Sequence, residues 1–422
     1  MSGSGRSTPT IVVLGTLDTK GEEHCYLASL IRQIGAEVLI VDAGIGSPTA
    51  DADIDHTAVA TAAGTTVGEV AAGDRGHAVD TMARGAATIL KQLVSERRLH
   101  GVVALGGGSG TTLASTAFAV LPVGLPKLIV STIAAGDMRP HVHGSDITFT
   151  YAVLDIAGLN AITRTVIENA AGAITGMARV SHERENGAAT GKPTVTDLPM
   201  VAITAFGVTS AAVDVARSRL TWAGYEPVVF HAVGAGGESL EALIRAGTFV
   251  GVVDLTTTEL ADDLVGGVMS AGPGRLTAAA ETGTPQAVSV GALDIVNLGP
   301  LAHIAPEHRN RRLLAHNSQM TLMRTTARET AELGKRLADK LNAARGPVTV
   351  YLPLAGTSTL STTGSPFYDA EADAALFDAI RNHLDRTIAL VELDVDINSP
   401  VFATAMVDGL VASIPASTKE KL

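Results

Sequence analysis

The sequence predicts an α/β protein made of two parallel-sheet subdomains, with a ligand cleft at or between the carboxyl ends of their strands. Three observations carry this prediction. From Thr10 onward, short and nearly continuous apolar runs alternate with amphipathic helical patterns, as in strands covered by helices on both faces. The second half of the chain repeats the order of the first. Gly, Ser, Thr and Asp crowd the segments that follow the strands, while the segments that precede them are ordinary.

Taken in order, "TIVVLG" (10–15) is the first strand. The helix after it opens with Thr19 and Glu22 at capping-box spacing and sets Leu27, Leu30, Ile31 and Ile34 on one face, until Gly35 stops it. "AEVLIVDAG" gives a second strand. A Gly/Asp/Thr-rich region then leads to a longer helix near His77–Arg97, whose buried stripe is Val79, Met82, Ala83, Ala86, Leu90 and Leu93. Strand "GVVAL" (101–105), a helix through Leu113, Ala117 and Val120, and strand "KLIVST" (127–132) complete the series. "LDIAGLNAITRTVIENAAGAITGMA" (154–178) reads as helical and closes the first subdomain or bridges to the second.

The repeat is explicit. Residues 201–236 lie on 11–46, with Gly224 and Glu226 matching Gly35 and Glu37. "GVVDLTTTELADDL" (251–264) lies on "GVVALGGGSGTTLA" (101–114). Further strands are expected at 286–293, 347–354 and 386–394, with helices near 319–344 and 369–384. The resulting plan is a short disordered tail (1–9), an N-terminal Rossmann-like domain (10–180), a charged, Gly-rich linker region (181–199) and a C-terminal α/β domain (200–422).

Composition narrows the function. The 422 residues are 46% hydrophobic, enough for large cores. With 31 Lys and Arg against 43 Asp and Glu, the net charge is −12, which repels nucleic acid and anionic lipid, and no basic run offsets it. A single cysteine, Cys25, allows no internal disulfide and no Cys-based metal site. The opening "MSGSGRSTPT" lacks the apolar stretch of a signal peptide, so a cytoplasmic protein is expected. Residues 101–126 carry no charge, but Gly106–Gly107–Gly108 and "LPVGLP" would break a spanning helix twice, so no membrane segment is expected.

Ligands of doubly wound sheets bind beyond the carboxyl ends of the strands, where helix N-termini point into one crevice. Gly106, Gly107, Gly108, Ser109 and Gly110 follow a strand and begin a helix, so their backbone N–H groups can hold a phosphate, with Thr111 adding a hydroxyl. The segment is neither a Walker A motif nor a G-x-G-x-x-G, and a tightly packed strand–helix turn is the bland alternative. Asp18 and Lys20 end the first strand. Lys20 can balance phosphate charge, and Asp18 can hold Mg²⁺ or a ribose hydroxyl. Asp42 ends the second strand, at the usual place for a ribose contact. Ser131, Thr132, Gly136 and Asp137 follow the fourth. His141 and His143 would share a face of an extended segment, but no third ligand is evident and no metal site is assigned. In the second half, Arg309, Arg311, Arg312, His316, Asn317, Arg324 and Thr325 form a basic segment ahead of and inside a helix that could grip a carboxylate or phosphate. His316 and Arg324 are its catalytic candidates. Gly356, Ser358 and Gly364 lie in a hydroxyl-rich loop before a helix capped by Asp369, and no nucleophile elbow or triad order is discernible.

At "GTLDTKGEE", "GGGSGT", "STIAAGD", "SDITFTYAVLDIAGLN", "HNSQMTLMRTT" and "PLAGTSTLSTTGSPFYDAEADAALF" the sequence resembles the Tm-1-like ATP-binding family, uncharacterised family UPF0261. The resemblance spans nearly the whole chain. It implies two Rossmann-like subdomains, ATP with Mg²⁺ held in or near the first, and a homodimer or higher homo-oligomer. It also implies a stand-alone version without the TIM-barrel domain that follows in plant members. The residues it carries are Asp18, Lys20, Gly106 to Gly110, Ser131, Thr132, Gly136 and Asp137; "MRPHVHGSD" departs from the family pattern. Three functions stay open at this point. One is an ATP-dependent phosphotransferase or hydrolase acting on a small anionic substrate between the domains. Another is a nucleotide-gated protein-interaction module without turnover, and the third is a nucleotide-independent enzyme on a carboxylate or sugar acid.

Overall fold

The computed structural model describes residues 8–142, 144–188 and 198–415. The chain divides into two compact units, Met1–Thr194 and Val195–Leu422. The first holds β1 (Thr10–Gly15), β2 (Glu37–Asp42), β3 (Gly101–Gly106), β4 (Lys127–Ser131) and β5 (Thr148–Tyr151). All its pairings are parallel and the order is β2-β1-β3-β4-β5. The period-2 alternation of a strand divides each apolar run between two cores. Ile11 and Val13 face Leu27, Ile31 and Ile174 on one side of the sheet. Val12 and Leu14 face Met82, Leu90 and Leu113 on the other. That is why the strands read as continuous apolar runs.

The second unit holds β6 (Met200–Ala205), β7 (Glu226–His231), β8 (Gly251–Thr256), β9 (Gln286–Gly291), β10 (Ile295–Leu298), β11 (Leu313–Asn317), β12 (Met320–Arg324), β13 (Val348–Pro353) and β14 (Ala389–Leu393). Six strands form a parallel sheet in the order β14-β13-β9-β8-β6-β7. Counted from β6, this is the first unit's 2-1-3-4-5 order with one strand added. The internal repeat therefore extends to topology. The fold class is thus α/β with Rossmann-like parallel sheets, the 2-1-3 order placing each sheet's reversal between its first and third strands.

Two sequence readings need correction. The helix after β1 begins at Leu17, not at a Thr19–Glu22 capping box, and kinks at Lys20. Its first N–H, from Leu17, is capped from across the sheet by Asp42 Oδ1 at 2.9 Å, so no local cap is needed. The basic segment expected to lead into and form a helix is instead the antiparallel hairpin β11–β12, part of a small sheet β10-β12-β11; the helix starts only at Ala327. The two units part inside the charged segment expected as a linker, 181–199, whose first residues continue the helix Ala161–Ala188, while 189–197 lies outside the described residues.

Among the buried acids of the second unit, one has a marked pH signature. Asp262, fully buried in the helix Glu259–Val265, accepts from Met269 N (3.2 Å), Asn297 N (3.1 Å) and Asn297 Nδ2 (2.9 Å). Burial pushes its pKa up to about 7 despite these bonds. A folded-state value above the unfolded one means that the native state holds the proton longer. The contribution to stability is full below the ordinary carboxyl value and is lost as pH rises through about 7. Asp262→Asn is expected to remove this slope, which is at most about 1.4 kcal/mol per pH unit. The Asn amide nitrogen takes the place of Oδ2, and the Asn297 amide, whose Oδ1 is buried without a partner, turns over to accept from it. Urea unfolding across that pH range checks it: an unchanged slope in the variant refutes the assignment.

Candidate functional site

At the reversal between β1 and β3, the segments after β1, β2 and β3 surround a cavity of about 580 Å³. Its floor is the glycine segment. Gly106 ends β3, Gly107 is the N-cap, and the helix runs Gly108–Phe118. The first-turn amides of Gly108, Ser109 and Gly110 have no acceptor four residues back, so they are unsatisfied donors at the positive end of a helix dipole. Gly106 has to be glycine for a steric reason. A Cβ there would stand 2.9 Å from Gly110 Cα and 3.1 Å from its carbonyl carbon, both backbone. At Gly108 a Cβ would meet nothing within 4 Å.

Asp18 and Lys20 form one wall. Asp18 Oδ2 accepts from Gly46 N at 2.8 Å and Ile45 N at 3.3 Å, tying the segment after β2 to the helix after β1. Its Oδ1 is buried and has no partner. Lys20 Nζ donates to the carbonyl of Ile156. Facing them is the helix Arg75–Ser95, capped by Asp74, which contributes Arg75 at its N-terminus and an apolar surface of Ala78, Val79 and Met82. The cavity thus has a donor-rich floor with a carboxylate and a lysine on one side, and an apolar wall headed by an arginine on the other. This division suits an amphipathic ligand with an anionic end.

The structure brings Asp18, Lys20, Gly106, Gly107, Gly108, Ser109 and Gly110 to this cavity and leaves the other sequence candidates out of its lining. Asp42 is nearly fully buried, and its Oδ1 is spent on Leu17 N and Gly44 N. Its Oδ2 stands 3.5 Å from His56 Nδ1. It organises the turns on either side of the cavity. Thr111 and Ser131 are buried and bond to each other at 2.7 Å. Thr132 N donates to Gly106 O at 3.1 Å, fixing the glycine turn against β4. Gly136 and Asp137 are exposed; Arg139 beside Asp137 forms a fork with its carboxylate and holds its pKa down to about 2. The helix itself was expected near His77–Arg97, but reasoning from strand ends missed Arg75 and the helix's place in the cavity wall. The one available signal was Asp74, an N-cap residue placing a helix start just before a cation.

His141 sits in a single helical turn, Arg139–Val142, with Nδ1 3.4 Å from Ser115 Oγ, so the expected extended segment is absent there; His143 lies outside the described residues. Among the described residues, His100, His182 and Glu185 bring ligand atoms within 4.8 Å of one another. His100 Nδ1 accepts the Thr10 N–H at 2.9 Å, which places the ring proton on Nε2 and removes that nitrogen's lone pair from metal binding.

In the second unit, His316 is exposed on β11, while Arg324 ends β12 at the far end of the hairpin, next to Arg312. Arg324 is buried with its donors committed to Phe367 O (2.8 Å), Thr325 and Asp373 Oδ1 (2.5 Å). Ser358 and Thr357 donate to buried Asp294 at 2.7 and 2.8 Å. The geometry does not bring His316 and Arg324 together.

What fold and site define is a pair of doubly wound α/β units, the first with an open, donor-rich crevice at its strand-order reversal. The chain belongs to the uncharacterised protein family UPF0261: the N-terminal domain model matches residues 9–183 and the C-terminal domain model residues 198–414. It is 42% identical over 404 residues to a UPF0261 protein of Clostridium tetani, covering 95% of this chain and 98% of that one. It is 40% identical over 400 residues to the UPF0261 protein RA0729 of Rhizobium meliloti, covering 94% and 97%. The ToMV resistance protein Tm-1(GCR237) of Solanum lycopersicum is 37% identical over 438 residues, covering 99% of this chain and 57% of the tomato protein. No helix among the described residues is long and apolar enough to cross a membrane.

Proposed function

We propose that the first unit binds a nucleotide, ATP with Mg²⁺, with its phosphates on the glycine segment. The observation that carries this reading is the set of first-turn amides of Gly108, Ser109 and Gly110 opening onto a 580 Å³ cavity at the β1/β3 reversal. Charge-assisted hydrogen bonds are worth about 1.5–3 kcal/mol each, so three amides aided by Lys20 and Arg75 supply useful affinity for phosphate oxygens. The apolar wall of Ala78, Val79 and Met82 gives the base and sugar a surface to cover. Mg²⁺ is held by one or two carboxylates together with phosphate oxygens and water. Asp18 fits that demand: one oxygen is anchored by Gly46 N and the other, buried, lacks a partner. Bound there, Mg²⁺ would neutralise phosphate charge.

Titration calorimetry tests the reading. ATP is expected to bind with Mg²⁺-dependent affinity, and Asp18→Asn is expected to lose about tenfold in the presence of Mg²⁺, the worth of one charged contact, with little change in its absence. Absence of any nucleotide heat in the wild type refutes the reading, and an Mg²⁺ response surviving in Asp18→Asn refutes the carboxylate's part. Steady-state phosphate release separates turnover on a small anionic substrate from binding alone. A cytoplasmic location is part of the same proposal and is supported by the single cysteine and the net charge of −12. A homodimer rests on the family resemblance and is read from mass in solution by light scattering.

A further inference from the structure

The repeat that generated the second unit also carried over a crevice, between β6 and β8, where its strand order reverses. In the first unit the corresponding segment is Gly106–Gly107–Gly108–Ser109. In the second it is Thr256–Thr257–Thr258–Glu259. The helix facing it, Ala235–Arg245, takes the place that Arg75–Ser95 has in the first unit, each leading from the second strand to the third. Here the crevice is filled. Glu259 is fully buried, and its Oε1 accepts from Gly234 N (2.8 Å) and Gly237 N (3.1 Å) at the N-terminus of that helix. Its Oε2 accepts from Arg275 Nε at 2.6 Å. The backbone has been shaped around the carboxylate: a Cβ on Gly237 would lie 2.4 Å from Oε2 and 2.5 Å from Oε1.

We propose that this is an oxyanion site and that the chain supplies its own ligand, the Glu259 carboxylate standing where a carboxylate or phosphate group would bind. Two backbone amides, a helix dipole and a guanidinium are the parts of an anion receptor. The side chain closes that receptor from the segment that holds the glycines in the first unit. The seated carboxylate therefore bars an external phosphate from the second crevice. This inference stands apart from what the first unit binds.

Glu259→Ala empties the receptor while leaving its amides and Arg275. Sodium formate, compared with sodium chloride at matched ionic strength, is expected to raise the Tm of this variant by several degrees and that of the wild type not at all. Equal responses to both salts overturn the proposal. Should the variant not fold by itself, its refolding yield in formate against chloride gives the same reading. A second test needs no cavity. Gly→Ala early in a helix ordinarily stabilises, yet Gly237→Ala is expected to lower Tm by several degrees, and by much less when combined with Glu259→Asp, whose carboxylate is drawn back by one methylene. A Gly237→Ala variant as stable as the wild type overturns the proposal.

Discussion

Arg275→Ala is expected to unfold the second unit at neutral pH. Arg275 is fully buried and is the cation on which three buried acids converge. Its Nη1 and Nη2 reach the two oxygens of Asp254 at 2.6 Å each, its Nε reaches Glu259 at 2.6 Å, and Nη1 lies 3.3 Å from Glu241. Removing one partner of a buried ion pair costs about 3–5 kcal/mol because the other charge is stranded. Here one deletion strands charge on Asp254 and Glu259 together, against a total stability of roughly 5–15 kcal/mol for a domain. The pH response gives the signature. Burial already raises the Glu259 pKa, with Arg275 opposing, so losing the arginine raises it further. The native variant then binds more protons than its unfolded chain, and its stability rises as pH falls toward the ordinary glutamate value of about 4.3. Circular dichroism with urea at neutral and mildly acidic pH checks this. Arg275→Lys is expected to fail almost as badly, since one ammonium cannot reproduce the planar fork on Asp254 while reaching Glu259. A variant as stable as the wild type at neutral pH would refute the account.

The sheets were legible because their signal is local. Ile11 to Leu14 and Val102 to Leu105 are apolar at every position, and only a strand covered on both faces requires that. The glycine turn was legible for a similar reason: three consecutive glycines between a strand and a helix leave the chain few other roles. Direction was not legible. Ser131 ends β4 and Thr111 follows β3 in the same first helical turns as Ser109, but whether a hydroxyl faces the crevice or a neighbouring hydroxyl depends on helix rotation and strand pairing that no short window encodes. Asp42 had the position of a ribose contact and is a helix cap for Leu17, a partner brought to it by parallel pairing of β1 with β2. Arg75 was missed because the crossover that returns it to the cavity passes through two short helices, His56–Ala62 and Val67–Ala71. The second strand of the hairpin β11–β12 was read as the start of a helix near 319–344, since "MTLMR" is rich in good helix formers. Antiparallel pairing, a tertiary effect, overrides that preference. In the second unit, the glutamate that aligns with Ser109 in the repeat was the visible clue that the two crevices would differ.

Gly108→Asp is expected to abolish nucleotide binding, with at least a hundredfold loss of ATP affinity and no loss of fold. Its neighbours show why this position discriminates. Gly106→Ala would press a Cβ to 2.9 Å from Gly110 Cα, so any loss of binding there would be confounded with damage to the helix start. At Gly107 a Cβ would touch only Thr132 Oγ1 at 3.6 Å, leaving its effect on the ligand ambiguous. Gly108 lines the cavity, and its Cβ would enter open space. The Cβ of an aspartate there meets no atom within 4 Å, and its carboxylate sits within the first turn, where acidic residues favour a helix. Toward a polyphosphate it does the reverse, occupying the amides and repelling like charge. Losing two charge-assisted bonds of about 1.5 kcal/mol each already gives roughly a hundredfold. Calorimetric titration paired with thermal unfolding reads both halves of the expectation. Loss of affinity at unchanged Tm places the phosphates on this turn; undiminished affinity at unchanged Tm removes the glycine segment from the binding site altogether.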